Sequence, residues 1–151
     1  MSLDLFIFIL FYFLAIFSSL GYGFIFEKLI GIKTNELHLG FVGLSGVLFL
    51  IIYSYISQHF IAHDLIHNTF INLIGLISFF NYLKSRKKEV FNLSIIFTIL
   101  ILSFFIFKTH DDFPYYHFPY TLYLTEQSSI FGIGLVNHGF KTPSSIFYLN
   151  S

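Results

Sequence analysis

LFIFILFYFLAIFSSLGYGFIF, residues 5–26, runs without a single charged side chain. A helix rising about 1.5 Å per residue needs about 20 apolar residues to cross a hydrocarbon core about 30 Å thick, so this stretch is long enough to span a bilayer. A secretory leader would carry a positive n-region, a shorter apolar core and a small-x-small cleavage site. Here Asp4 is the only early side-chain charge and no such site follows. The stretch therefore predicts a retained membrane-spanning helix.

The rest of the chain agrees in composition. Of its 151 residues 56% are hydrophobic, 22% are aromatic and only 11% are charged, against about a quarter charged in soluble domains. Further apolar segments fall at 37–57, 65–83 and 90–107, so the expected fold is an all-α, polytopic transmembrane bundle of about four spans (5–26, 37–57, 65–83 and 90–107, together 1–107). An outer loop, 108–143, follows with a short interfacial helix, and 144–151 opens a further apolar segment too short to cross a bilayer. That last feature leads us to expect the N-terminal part of a longer protein. Gly40, Gly43, Ser45 and Gly46 would let a neighbouring helix approach closely, though glycine is also common in membrane helices generally.

A net charge of zero argues against nucleic acid as a partner, because that binding needs clustered Lys and Arg to displace phosphate counterions. No cysteine is present, which excludes disulfides, thiolate metal sites and a cysteine nucleophile. Short cytoplasmic loops retain Lys and Arg. The turn KSRKKE, residues 84–89, is therefore expected inside, together with 27–36, leaving the N-terminus, the 59–67 connection and 108–143 outside. The lipid bilayer is the first expected partner and a bacterial inner membrane the expected location, with the 108–143 loop on the periplasmic side.

Six of the seven histidines then lie on the outer side, His38 being the exception. His59, His63 and His67 recur every four residues and would form one stripe if a helix continued through them. Two imidazoles so spaced can hold a metal ion, and a helix turn facing lipid headgroups accounts for the stripe equally well. Beyond the fourth apolar segment comes KTHDDFPYYHFPY, residues 108–120. Adjacent carboxylates on Asp111 and Asp112 belong at the water-facing edge of a span. They repel, which raises the affinity of one for a proton, and can either bind a divalent cation such as Mg²⁺ or Mn²⁺ or serve proton abstraction. Tyr115, Tyr116, Tyr120 and Tyr123 suit headgroup depth, and Pro119 can open a short helix continuing as YTLYLTEQ.

DDFPYYHFPYTLYLTE with the later FGIGLVNHGFKTPSSIFYLNS resembles the first large outer loop of polytopic bacterial membrane proteins similar to C-type glycosyltransferases. The resembling pattern is Asp112, then Tyr116 and His117; then Glu126; then Gly132, Gly134, Asn137 and His138; then Ser144 and Ser145. It covers about 40 residues. The resemblance implies transfer of a sugar from a polyprenyl-phosphate donor on the outer face, with Asp112 as catalytic base or metal ligand and Asp111 assisting. It further implies substrate binding by Tyr116, His117, Asn137 and His138, the histidines holding donor phosphate or orienting an acid. Such transferases are much longer, so a piece of this length is expected to be inactive by itself. Two other classes use the same features: a small structural or assembly membrane protein without catalysis, and a metal-handling or transport protein. The latter should place ionisable residues within its spans, and these spans hold almost none.

Overall fold

The computed structural model describes residues 3–32, 37–106, 111, 113–128, 132–135, 138–141 and 145–151. Every regular element among them is helical: α1 (Leu3–Leu29), α2 (Leu39–Ser57), α3 (Leu65–Leu83), α4 (Lys87–Leu100), α5 (Phe118–Glu126) and α6 (Ser145–Asn150). α4 tightens into a 3₁₀ turn at Ile101–Phe105, and a π-type turn at Phe113–His117 leads into α5. Two helices, α1 with 27 residues and α2 with 19, are long and apolar enough to cross a membrane. α3 has the length, but its Asn68, Asn72 and Asn81 dilute its apolar character.

Local chemistry explains where the helices start and stop. α1 ends on Gly31, whose φ of 78° is the left-handed conformation that glycine adopts freely. There the Ile32 amide donates to the Glu27 carbonyl at 3.0 Å and the Gly31 amide to the Lys28 carbonyl at 3.3 Å, the paired bonds of a Schellman cap. α2 opens under His38, whose Nδ1 accepts the Gly40 amide at 3.2 Å. α3 opens under Asp64, whose carboxylate accepts the His67 amide at 2.8 Å.

The chain packs as two units, 1–49 with 70–105 and 50–69 with 106–151. In the first, α1 is pressed against α2 and α3 so closely that side chains are excluded from the seams. A Cβ on Gly46 would overlap the Ser19 carbonyl, one on Gly23 the Val42 carbonyl, and one on Gly21 the Gly75 carbonyl. Hydroxyls then tie helix to helix. Tyr22 donates to the Ile71 carbonyl at 2.7 Å, Ser78 to the Gly21 carbonyl at 2.9 Å and Tyr12 to the Phe97 carbonyl at 3.0 Å. Around these seams lies a core of Leu20, Phe24, Leu39, Val42, Phe79 and Val90, with stacked rings at Phe17–Phe79 and Phe24–Tyr82.

Of the four small residues that sequence singles out on α2, only Gly46 meets another helix backbone. Gly43 faces the Leu20 side chain at an ordinary distance, Gly40 faces its own cap His38, and Ser45 donates back to Val42 in its own helix. The remaining seam residues, Gly21, Gly23 and Gly75, belong to α1 and α3. Two charged residues also lie differently from expectation. Glu27, expected in a solvated connection, is inside α1 at 0% exposure, and neither carboxyl oxygen has a hydrogen-bond partner. Arg86 is buried in the basic turn, where it donates to the Leu37 carbonyl at 2.7 Å and grips Glu89 through Nε and a terminal nitrogen. That grip holds the Glu89 carboxyl below the usual range.

The second unit has its own core of Tyr120, Leu124 and Tyr148, with Tyr123, Ile133, Phe140 and Phe147 partly buried against it.

The seams make a sharp prediction. Gly46→Val should destabilise the protein by roughly 2 kcal/mol or more, since the added atoms meet backbone that cannot yield. Gly43→Ala, whose added methyl would meet only the Leu20 side chain at an ordinary distance, should be neutral or stabilise by up to about 1 kcal/mol. Thermal unfolding in detergent compares them. Equal melting points for the two variants would refute the assigned seam.

Candidate functional site

Several described polar side chains of the second unit meet at the connection between α2 and α3. α2 stops at Ser57 and α3 starts at Leu65, so the helix needed to align His59, His63 and His67 in one stripe is interrupted. His59 packs edge-on against Tyr55, its ring centre 5.4 Å away. His63 and His67 instead stack face to face, 4.5 Å between centres and 7° between planes.

Hydrogen-bond directions fix the state of this pair. The Ser151 hydroxyl donates to the Tyr148 carbonyl at 2.9 Å, so it accepts from His63 Nδ1 at 2.8 Å, and the same N–H reaches the Tyr148 carbonyl at 3.2 Å. His63 Nε2 is thereby left to accept from the Ser57 hydroxyl at 2.8 Å. Asn68 commits its amide nitrogen to the carbonyls of His63 at 2.9 Å and Ser151 at 2.7 Å. Its oxygen therefore accepts from His67 Nδ1 at 3.1 Å, and His67 Nε2 accepts from the Tyr53 hydroxyl at 3.0 Å. Each ring thus carries a proton on Nδ1. His63 is only 2% exposed. Burial, and then the neighbouring His67, lower its pKa to about 4, against the partial support of the Tyr148 carbonyl.

Ser57 beside His63 has the separation of a nucleophile and its base, with the imidazole oriented by a carbonyl on the other side. The chemistry does not follow from the distance. An imidazole so resistant to protonation, with no carboxylate bonded to it, is a weak general base near neutrality. The pair works as an organiser of α6 and the connection. Nor do the two rings offer a joint lone pair to a metal ion, because each Nε2 takes a separate hydroxyl. Among the described residues no group of three or more His, Asp or Glu is gathered for metal binding.

Gln58 extends this polar centre. It is 0% exposed, and its amide nitrogen donates to the carbonyls of Leu124 at 2.9 Å and Gln127 at 2.6 Å, stitching the connection to the end of α5. The His63 amide adds a bond to the Leu124 carbonyl at 3.0 Å. Gln58 Oε1 and the Tyr123 hydroxyl are buried without partners, and burial raises the Tyr123 pKa. The Tyr120 hydroxyl meets that of Tyr148 at 3.1 Å. Burial first, and then this bond, push the Tyr120 phenol well above its ordinary value.

Of the residues expected to carry chemistry, Asp111, Tyr116 and His117 lie in or beside the turn that leads into α5. Asp111 is exposed, immediately before the π-type turn. Tyr116 and His117 lie in that turn, both half-buried, and the His117 ring packs against Phe147 at 5.1 Å between centres. Asp112 and Asn137 lie outside the described residues, as does the side chain of His138. Sequence reading passed over Gln58, Ser57 and Tyr53. One signal was available for the break that assembles them: Asp64 directly before an apolar run is a helix-start residue, and it ends any continuous stripe.

Gln58→Leu should destabilise the second unit by about 1–3 kcal/mol, removing two hydrogen bonds to the end of α5 while the His63 amide still serves the Leu124 carbonyl. Gln58→Glu at pH 8 should be worse, since a carboxylate would face those carbonyls with no proton to offer. Hydrogen exchange of the α5 amides reads both, and a glutamate variant as protected as wild type would refute the assigned amide orientation.

The chain matches no family model, no curated protein and no solved structure.

Proposed function

We propose that this is an integral membrane protein of the C-type glycosyltransferase kind, whose 108–143 segment meets a polyprenyl-phosphate-linked sugar on the outer face of a bacterial inner membrane. Membrane residence is supported by α1 and α2. A four-span arrangement would add α3, about 28 Å long at 1.5 Å per residue, and α4 with its 3₁₀ extension, about 31 Å with 2.0 Å per residue in the tighter turn. Orientation rests on the basic turn after α3. Lys84, Lys87 and Lys88 are exposed there, while Arg86 is committed to Leu37 and Glu89.

One observation carries the transferase reading beyond the sequence resemblance. The segment after the acid pair is a folded aromatic platform anchored by Tyr120 and Leu124, and it leaves Asp111 and Tyr115 exposed with Tyr116 and His117 half-exposed beside them. An acid at the edge of such a platform can meet a sugar hydroxyl while rings pack on the sugar face. In this reading Asp112 acts as base or as ligand to Mg²⁺ or Mn²⁺, Asp111 assists, and His117, His138 and Asn137 hold the donor. A second reading, a structural or assembly protein without chemistry, draws support from the inward-turned centre around His63, where polar groups are spent largely on one another.

Sugar transfer from a polyprenyl-phosphate donor by the full-length gene product should fall at least 100-fold in Asp112→Asn, the loss of a base or charged ligand. Full activity in an inserted, folded variant would remove Asp112 from the reaction, and no transfer by the wild type would favour the structural reading. Cysteines placed singly at 85 and 111 in intact cells should react with an impermeant reagent only at 111. Labelling at 85 alone would invert the proposed orientation.

A further inference from the structure

We propose that the groove between α1, α2 and α4 holds one acyl chain of an anionic phospholipid, whose phosphate lies at the basic turn 84–88. The proposal rests on the reading of α1 and α2 as membrane spans. The groove encloses about 320 Å³ within the first unit, lined by Leu20 from α1, Leu39, Gly40 and Gly43 from α2, and Leu93 and Phe97 from α4. The hydroxyl of Ser19, also in the lining, is spent on the Ala15 carbonyl of its own helix at 2.8 Å. Leu20 and Leu39 are buried at 2% and 1% exposure, while Ala15 and Leu44 stand exposed at the rim. A Cβ on Gly43 would meet only the Leu20 side chain, at 3.5 Å, and one on Gly40 only its own cap His38. These two glycines serve no helix seam, and their missing side chains keep the groove open.

Two ties bound the groove along α4. At one end Tyr12 of α1 donates to the Phe97 carbonyl, and at the other Arg86 donates to the Leu37 carbonyl ahead of α2. From Arg86 to Phe97 is about 16 Å at 1.5 Å per residue. One leaflet contributes a similar depth, about 15 Å, to a hydrocarbon core about 30 Å thick. A helix of that length, about 10 Å across, fills on the order of 1,200 Å³ and is too large to enter. A hydrocarbon chain is thin enough. So apolar a space excludes water, and left unfilled it forfeits dispersion contacts along its lining. In a bilayer the nearest filler is a lipid tail.

Charge selects the headgroup. The end of the groove with the Arg86 tie carries exposed His38, which caps α2 beside Gly40, and exposed Lys84, Lys87 and Lys88. Lys87 and Lys88 open α4 within about two turns of Leu93. Glu89, the acid in that first turn, is already gripped by Arg86. Basic side chains in surplus at a membrane surface attract anionic headgroups. A phosphate held there leaves its chain to run along the groove towards Tyr12.

The test is NMR of the full chain, deuterated except at leucine methyls, in nanodiscs of equimolar phosphatidylglycerol and phosphatidylcholine with one lipid protonated at a time. Methyls of Leu20 and Leu39 should show cross-peaks to the chain methylenes of phosphatidylglycerol, about tenfold stronger than to those of phosphatidylcholine. Lys87→Gln combined with Lys88→Gln should bring the two lipids to parity. Gly43→Leu, which fills the groove, should abolish the cross-peaks of Leu20 and Leu39, while Leu48, exposed elsewhere on α2, keeps its own. Equal contacts from the two lipids in the wild type, or contacts that survive Gly43→Leu, would overturn the site. So would contacts at Leu20 and Leu39 from a second, separately labelled copy of the chain in place of lipid. Wild-type cross-peaks at Leu48 with none at Leu20 or Leu39 would remove the groove alone, and their absence at all three would remove the membrane reading with it.

Discussion

Backbone laid directly on backbone is the constraint from which the first unit follows. In a membrane, which α1 and α2 are long and apolar enough to cross, apolar side chains gain little by leaving one apolar surrounding for another, so helix association there draws on close packing and on polar bonds. Gly21 and Gly23 on α1, Gly46 on α2 and Gly75 on α3 supply the first. Hydroxyls of Tyr12, Tyr22 and Ser78 supply the second by reaching main-chain carbonyls on neighbouring helices. Each helix carbonyl already serves its own helix, yet its second lone pair remains open to such a donor. The aromatic core packs around an arrangement whose spacing the glycines have set.

The second unit is organised by hydrogen-bonded polar groups. His63, His67, Asn68, Ser57 and Tyr53 form a linked set, and Gln58 ties the same connection to the end of α5. Such chains suit a low dielectric, where dipoles are strengthened and isolated charges are costly. The arrangement explains the concentration of histidine near 59–67 without a metal ion: a neutral imidazole both donates and accepts, and so can join two segments through one side chain.

The helical class and the long apolar segments were legible because composition and length depend on no tertiary detail. Pro119 likewise announced α5, which runs from Phe118 to Glu126. Which glycine touches another helix was not legible. Gly40, Gly43 and Gly46 all lie in the first turns of α2, and only the rotation of that helix selects Gly46. Gly75 stands in a different helix and has meaning only through Gly21. The histidine stripe failed for a related reason: four-residue spacing assumes an unbroken helix, whereas QHFIAHD contains neither Gly nor Pro and still breaks, with Gln58 held by α5 and Asp64 capping α3. A charge alone does not mark the end of a helix: Glu27 lies within α1, and the glycine cap lies four residues beyond it. The acid pair was legible as residues, but the polar centre of the second unit was not, since side-chain convergence after residue 107 depends on folding in three dimensions.

A ribosome completes α1 before any residue of α3 exists. Until then Gly21 presents its bare main chain to whatever surrounds it, with Ser18 and Tyr22 beside it and their later neighbours still unmade. Translation that stalls between α2 and α3 would leave a nascent product with one seam filled and one empty.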